Sequence, residues 1–213
     1  MLPFGPPAAF YLTAATPSPV NYDQGISPKH TLNVHDVDGE EREWRVDASV
    51  AKVSIYNAKN LTLRLPGRVV TSTVEVFNAE NVKLVVGPSS SPLLSEEIPS
   101  LGVLQLDPPL KNVSVVFTHS QAAGSVVVAP HLAKGAAGQP SFGFSSLSVQ
   151  AGEARPFALF DAEGRLCSPD GAAPISPSDP PDNLSRQLVL SQSEGKWKVD
   201  GLQRNEKDYP QLS

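Results

Sequence analysis

The chain of 213 residues has one cysteine, a formal net charge of −5 and no long apolar run. A single cysteine, Cys167, excludes an internal disulfide and a cysteine-rich zinc site, and it fits a reducing compartment. Binding to nucleic acid or to an anionic membrane requires an excess of basic residues that this chain lacks. A bilayer span requires about 18 consecutive apolar residues. We expect a cytoplasmic protein with no nucleic-acid partner and no membrane span, and leave open an organelle location after removal of a targeting segment.

Sequence motifs of catalysis are missing as well. The chain has neither a Gly-x-Ser-x-Gly elbow nor a glycine-rich phosphate loop before a helix. Cys167 lies in a polar segment where no base is placed beside it, which indicates an exposed thiol. The acids that follow His35 are too few for a calcium loop and indicate a solvated turn. We therefore expect no enzymatic activity, no cofactor and no metal. The four histidines are scattered without metal-ligand spacing: His30, His35, His119 and His131.

What the chain has instead is an eleven-residue phrase that occurs twice, 21 residues apart. Residues 53–63 read VSIYNAKNLTL and residues 74–84 read VEVFNAENVKL, with a weaker third copy within 104–115. A repeat of this length indicates one structural unit stacked on the next. The alternation of apolar residues gives each unit one apolar face, which a single unit cannot bury alone. With 21 prolines, 15 glycines and no clear helical pattern, this predicts an all-β fold containing a short parallel β-helix, or solenoid.

Asparagines recur at two positions of the phrase. Asparagine tolerates the left-handed backbone conformation and bonds to its own backbone in turns. If the repeats stack in register, the side-chain amides should form ladders along the corners. Asn60, Asn112 and Asn183 also begin glycosylation sequences, an alternative that a cytoplasmic location disfavours. The residues predicted to form the structural ladder are Asn57, Asn60, Asn78, Asn81 and Asn112.

Composition divides the chain into four parts. Residues 1–28 hold six prolines and several aromatics, which predicts an arm lying along a surface, its own or a partner's. Residues 29–130 should form the β-helix, with a Ser- and Pro-rich candidate binding loop at 88–99. Residues 131–183 should be an irregular insertion with one hairpin, 145–150 paired with 154–161. Residues 184–213 should form a C-terminal hairpin and a charged tail.

Two further expectations concern the start and the ends of the β-helix. Residues 31–34 and 43–46 should be adjacent strands of a hairpin, with Gly39 supplying a positive φ in the turn between them. Trp44 and Trp197 are interpreted as caps over the open ends of the solenoid. The alternative is that one of the two tryptophans anchors a partner, because aromatics dominate interface energetics.

Three traits carry a resemblance to a known family. They are a Trp-Arg-Val segment at 44–46, the repeated phrase itself, and a Gly-Arg-Val segment at 67–69. The residues around 187–198 are similar to the final hairpin of the same family. Together they resemble the C-terminal domain of cyclase-associated proteins, a domain shape shared with tubulin-folding cofactor C.

The resemblance implies a right-handed parallel β-helix used for protein binding. In cyclase-associated proteins this domain binds monomeric actin, promotes its nucleotide exchange and dimerises through its C-terminal strands. The related cofactor C domains activate GTPases through an arginine in a Gln-x-Arg motif, and the equivalent stretch here lacks that motif. We expect Leu202, Gln203 and Arg204 to lie past the last hairpin, where they would not be equivalent to that motif.

Two functional hypotheses follow. In the first, the chain is a non-catalytic, cytoskeleton-associated module that binds actin monomers, with homodimerisation through the C-terminal hairpin. In the second, it is a structural subunit of a large assembly, and the N-terminal arm and residues 131–183 wrap neighbouring subunits. A carbohydrate-active β-helix is disfavoured, because Glu75 and Glu80 do not recur from repeat to repeat.

Overall fold

The computed structural model describes residues 8–88, 100–119, 125–128, 133–134, 140–171, 173–174, 176, 186–193 and 196–203. Among these residues the structure contains β-strands and one short 3-10 turn at Tyr22–Gln24, which confirms the predicted all-β class. No helix in this part of the chain is long and apolar enough to cross a membrane. The strands are β1 (Ala8–Tyr11), β2 (His30–His35), β3 (Asp38–Arg45), β4 (Lys52–Leu65), β5 (Thr73–Val86), β6 (Val103–Phe117), β7 (Ser125–Val128), β8 (Ala133–Lys134), β9 (Pro140–Ser141), β10 (Phe144–Ala151), β11 (Phe157–Phe160), β12 (Arg186–Ser193) and β13 (Lys196–Gln203).

Two runs of parallel pairing share the three long strands. The first run joins β1, β2, the first halves of β4, β5 and β6, and then β7. The second run joins β3, the second halves of β4, β5 and β6, and then β10. We call the outer sides of these two runs the first face and the second face. Val53 pairs with Val74 and Leu63 with Leu84, so the repeat period is the register of the sheet.

A bend in each long strand separates the two faces. In β4, Asn57 and Asn60 both have a φ of 51°, in the left-handed region. Buried residues are spaced by two within each half of the strand, but Ile55, Ala58 and Leu61 are spaced by three across the bend. Two left-handed residues three apart therefore turn the chain while keeping one side of it directed inward.

Aliphatic side chains stack in columns inside the bend. Leu63, Leu84, Val115 and Val149 occupy matching positions on β4, β5, β6 and β10 and have no solvent exposure. Burying each such side chain contributes about 1.5–3 kcal/mol relative to leaving it exposed. The inner column therefore supplies the stability that a single 21-residue unit lacks.

The hairpin predicted for residues 31–46 is wrong. Strands β2 and β3 do not pair with each other. Each pairs in parallel with one half of β4. Residues 31–45 therefore form a further unit of the stack, and Asp36, at a φ of 54°, bends it where Asn57 bends the next unit.

Gly39 is needed for space rather than for a turn conformation. The positive φ values near it belong to Glu40 and Glu41. A Cβ atom on Gly39 would lie 2.6 Å from Cβ of Leu61 and 3.0 Å from the ring of Trp44. Glycine therefore lets β3 lie close against β4 beneath the indole.

The described part of the N-terminal arm packs on its own domain. Strand β1 pairs in parallel with β2, and Leu12, Val20 and Ile26 are buried in the common core. Val20 forms a parallel bridge with Val46, and Gln24 and Asn21 form a capping box around the 3-10 turn. Proline-rich composition here produces short extended segments at an edge of the sheet rather than a detached arm.

The region predicted as an irregular insertion also contributes to the stack. The hairpin expected at 145–161 is present as β10 and β11, which pair antiparallel. Strand β10 pairs in parallel with β6 and buries Phe144, Leu147 and Val149. The expected C-terminal hairpin is present as β12 and β13, and β12 runs antiparallel to β7. Most of the candidate loop, residues 89–99, lies outside the described residues.

Candidate binding surface

The five asparagines singled out in the sequence lie in two hydrogen-bonded ladders at the bends. In the first ladder, Nδ2 of Asn78 donates to Oδ1 of Asn57 at 3.0 Å. In the second, Nδ2 of Asn112 donates to Oδ1 of Asn81, and Nδ2 of Asn81 donates to Oδ1 of Asn60, both at 2.8 Å. All five have φ values between 50° and 54°. Each asparagine therefore provides both a backbone bend and a bond between units.

An aspartate accepts the last hydrogen bond of each ladder. Asn57 donates to Oδ1 of Asp36 at 2.5 Å, and Asn60 donates to Oδ1 of Asp38 at 3.0 Å. The Asn60 amide, followed by the backbone N–H of Glu40, lowers the pKa of Asp38 from its ordinary value of 3.8. An ionised carboxylate accepts hydrogen bonds and donates none, so it can end a row of amides in which each side chain donates to the next.

The two ladders end differently after β5. Two residues of β6, Pro108 and Pro109, lie opposite the single residue Asn78 of β5, so the register shifts by one residue. Proline has no side-chain amide, so the first ladder ends at Asn78. The second ladder reaches Asn112, and on β10 the adjacent position is Ser146, which keeps a positive φ of 50°.

A row of aromatic rings crosses the first face beside the first ladder. We define the aromatic stripe as Tyr11, His35, Tyr56 and Phe77. Adjacent ring centroids are 6.3 Å apart for Tyr11 and His35, 5.7 Å for His35 and Tyr56, and 5.3 Å for Tyr56 and Phe77. The last pair is stacked, with an interplanar angle of 23°, and the other two pairs meet edge to face.

The stripe is exposed although its members are aromatic. Tyr11 is 60% exposed, Tyr56 42% and Phe77 36%, and His35 is half-buried. The rings point outward because side chains alternate along each strand, and Ile55 and Val76, the residues just before Tyr56 and Phe77, are buried. Cross-strand aromatic pairs contribute about 0.2–1 kcal/mol each to a sheet, whereas a contiguous exposed apolar row is typical of an interaction site.

Polar groups border the stripe. Nε2 of His35 and Oγ of Ser54 lie 3.1 Å apart, which fixes the imidazole against the sheet. In the register, Phe77 pairs with Asp107 on β6, so a carboxylate follows the three aromatics of β2, β4 and β5. Oδ2 of Asp107 accepts a hydrogen bond of 2.9 Å from Nε2 of Gln105.

The two tryptophans lie on outermost strands of the sheet and are both buried. Trp44, on β3, has no exposed surface, and its indole N–H donates to the carbonyl of Thr16 at 3.0 Å. The Arg42 guanidinium lies 5.5 Å from the Trp44 ring and also donates to the carbonyl of Ala14. Trp197, on β13, is 7% exposed. Neither indole is available to a partner without local opening.

Two grooves open on the side of the second face. One, of about 400 Å³, is lined by residues that include Lys59, Lys111 and Phe144. Its charges are paired, because Nζ of Lys111 and of Lys59 lie 2.6 and 3.7 Å from the Glu80 carboxylate. The Lys111 hydrogen bond, above all, lowers the pKa of Glu80. The other groove, of about 500 Å³, follows the second asparagine ladder.

No group of three or more metal-ligating side chains is assembled within the described ranges. Cys167 is half-buried there, and its Sγ lies 3.6 Å from the carbonyl oxygen of Arg165.

The sequence analysis missed the stripe, although its signal is present in the repeat. His35, Tyr56 and Phe77 are each 21 residues apart and occupy the same position of three successive units. A hairpin over residues 31–46 would remove His35 from the repeat, which hides this signal. Tyr11 carries no such signal, since it belongs to the irregular arm.

Comparisons with protein-family models, with curated proteins and with solved structures find no match to this chain.

Proposed function

We propose that this chain is a right-handed parallel β-helix that works as a non-catalytic protein-binding module, with the aromatic stripe as its binding surface. The observation that carries the proposal is the exposure of Tyr11, Tyr56 and Phe77 in one row on a regular sheet. Aromatic side chains are enriched among the residues that dominate binding energy at interfaces. Paired parallel strands hold these rings at fixed spacing, which lowers the entropy lost on binding.

The handedness and the first candidate partner rest on the resemblance to cyclase-associated proteins. That family binds monomeric actin, so an actin monomer is the partner we propose first, with a cytoplasmic, cytoskeleton-associated location. Strand β13 lies at an edge of the sheet order. An edge strand presents unpaired backbone groups, which supports the proposal of a homodimer through the C-terminal hairpin.

The structural-subunit alternative depends on extensions that wrap neighbours. Residues 8–28 bury Leu12, Val20 and Ile26 in their own domain, so they are not free to cover another subunit. Strands β10 and β11 are likewise part of the domain. We therefore rank the binding module above the assembly subunit.

The test is binding to purified ADP-actin monomers in a pull-down with the full chain. We expect capture at micromolar concentration, and a loss of about tenfold in affinity for a double variant, Tyr56→Ser with Phe77→Ser. Val70→Ser is the matched control, because Val70 is 48% exposed and lies outside the stripe.

Each result bears on a different part of the proposal. No capture by the folded wild-type chain would exclude the actin monomer as partner. Capture that the double variant leaves unchanged would exclude the stripe as the binding surface. Cleavage of any member of a polysaccharide panel would contradict a non-catalytic function.

A further inference from the structure

Strand β1 is an outermost strand of the sheet and has none of the usual protection of a sheet edge. It pairs with β2 on one side, and no described residue pairs with it on the other. Natural edge strands are commonly protected by lysine, proline or a bulge, because their unpaired backbone groups recruit other strands. The segment Ala8–Tyr11 has none of these, and the first 22 residues contain no charged side chain although 18% of the chain is charged. By contrast, the edge strand β13 carries Lys196, Lys198 and Asp200.

The outward backbone groups of β1 belong to Ala9 and Tyr11. The N–H of Leu12 donates to the carbonyl of Asn33 at 2.8 Å, so Leu12 directs its backbone groups toward β2. The backbone groups of successive residues in a strand point to opposite edges. Phe10 therefore also directs its groups toward β2, whereas the N–H and C=O groups of Ala9 and Tyr11 face away from it. They offer two donors and two acceptors to a further strand.

Phe10 is the incompletely covered end of an inner column. In the register, Phe10 lies beside Leu32, and Leu32 lies beside Val53. Leu32 and Val53 have no solvent exposure, whereas Phe10 is half-buried although it packs on the same core. The missing neighbour is the one on the outer side of β1. A strand added there with an apolar side chain beside Phe10 would cover the ring.

A second copy of β1 meets both requirements in an antiparallel pairing about a two-fold axis at Phe10. Ala9 of each copy then lies opposite Tyr11 of the other, and their outward N–H and C=O groups form four hydrogen bonds between the copies. The two Phe10 residues face each other in the pair without hydrogen bonds, where the Cα atoms are about 4.5 Å apart and side chains are closest. Each contact occurs twice, as in any two-fold dimer. The pairing buries no charged side chain, because β1 has none.

We propose that β1 joins a second copy of this chain through this antiparallel pairing. The proposal goes beyond the proposed function, because it requires neither an actin monomer nor pairing of the C-terminal hairpin. Tyr11 points to the outer side in both copies, so the two aromatic stripes lie on the same side of one joined sheet.

The experiment is sedimentation equilibrium of the full chain over a range of concentrations. We expect the mass to rise with concentration from 22.6 kDa toward twice that value. Ala9→Lys should raise the dissociation constant about tenfold or more, because it places like charges across the pairing. Ala15→Lys is the matched control, since it adds the same charge to an exposed residue of the same segment outside β1 and should leave association unchanged.

A charge swap separates a blocked contact from an unfolded variant. In the two-fold pairing, position 9 of one copy is the diagonal neighbour of position 9 of the other, about 7–8 Å away. Ala9→Lys and Ala9→Glu should therefore each associate weakly alone and should associate with each other when mixed in equal amounts. Thermal unfolding of each variant alone confirms that it is folded.

The outcomes decide between this contact and the others. A folded wild-type chain that stays monomeric at all concentrations would overturn the proposal, and so would association that Ala9→Lys leaves unchanged, which would assign the contact to the C-terminal hairpin. If the hairpin also pairs, the mass exceeds twice 22.6 kDa and Ala9→Lys should lower it to that of a dimer. Failure of the mixed variants to associate would exclude the two-fold register. The double variant Tyr56→Ser with Phe77→Ser should still self-associate, so loss of actin capture and loss of self-association report on different surfaces.

Discussion

The asparagine ladders and the aromatic stripe follow the same 21-residue repeat, but the ladders bond to each other within the protein whereas the stripe leaves its rings exposed to solvent. The side chains of Asn57 and Asn60 each donate a hydrogen bond to one neighbouring unit and accept one from the other, so they hold the units together. Tyr56, one residue earlier, contacts its neighbours edge to face and by stacking but leaves 42% of its surface exposed. Adjacent positions in one repeat thus supply the scaffold and the candidate binding surface.

This comparison predicts that changes in a ladder should lower stability, whereas changes in the stripe should lower binding. The predictions below run from the largest expected effect to the smallest, and each variant is measured against the wild-type chain.

Asn60→Ala should destabilise the protein by about 2–5 kcal/mol. Alanine in the left-handed conformation costs about 1–2 kcal/mol, and two ladder hydrogen bonds of about 0.5–1.5 kcal/mol each are lost. Asn60→Gly is the matched control, because glycine keeps the conformation and loses only the bonds, so it should cost less. Urea unfolding measures both. An equal loss for alanine and glycine would mean that the positive φ carries no cost.

Gly39→Ala should destabilise the protein by about 1–3 kcal/mol, as overpacking does, because the added Cβ would lie 2.6 Å from Cβ of Leu61 and 2.8 Å from the carbonyl oxygen of Asn60. The close approach of β3 to β4 would have to widen, and near-ultraviolet circular dichroism should show a change around Trp44. Gly25→Ala tests backbone strain without crowding, because a Cβ at Gly25 meets nothing within 4 Å but the φ of Gly25 is +84°. Unchanged stability of Gly39→Ala would contradict the described packing.

Tyr56→Ser should lower the free energy of unfolding by only about 0.4–2 kcal/mol, because it removes two exposed aromatic pairs, with His35 and Phe77, that contribute about 0.2–1 kcal/mol each. Its effect on partner binding should be larger: together with Phe77→Ser it should lower the affinity for ADP-actin about tenfold. A loss of several kcal/mol in urea unfolding would instead make the stripe part of the scaffold and remove the contrast with the ladders.

The smallest expected effect is the dependence of stability on pH that Asp38 contributes. The pKa of Asp38 is lower in the folded protein than its ordinary value of 3.8. Its contribution to stability is therefore present above that ordinary value and is lost as the pH falls through the folded-state pKa. Asp38→Asn keeps an acceptor for Asn60 and removes the titration. The difference in urea midpoint between wild type and variant should therefore shrink or reverse below about pH 4. A difference that stays constant from pH 6 to pH 2.5 would rule out this coupling.

The sequence alone supported the all-β class, the register period and the positions of the asparagines, because each of these repeats in one dimension. The pairing of β2 and β3 could not be predicted in the same way. Asp36 and Asp38 are two residues apart, whereas Asn57 and Asn60 are three apart, so the first unit did not align with the phrase. Aspartates followed by glycine also resemble a local hairpin turn, and local turn chemistry suggested the wrong partner for each strand.

The packing of the arm and of β10 was missed for a different reason. Leu12, Val20 and Ile26 are isolated apolar residues among prolines, with no period that indicates a buried side. Strand β10 lies 34 residues beyond its partner positions on β6, for example Leu147 against Val113, so the 21-residue period does not mark it as a further unit. Both segments are held in the domain by pairing with strands distant in the sequence, which composition alone does not predict.

The aspartates that receive the ladders give the stack a polarity. Every amide donates toward the N-terminal unit, from Asn112 through Asn81 and Asn60 to Asp38. The Asp38 carboxylate only accepts, so it cannot donate a hydrogen bond to an earlier unit. The ladder is thus closed at one end and open at the other. An additional copy of the 21-residue unit could be inserted between β4 and β5 with every amide still matched, whereas one placed before Asp38 would meet an acceptor where it needs a donor. The hydrogen bonds of the ladder therefore fit a further unit on the C-terminal side of Asp38 but not one before it.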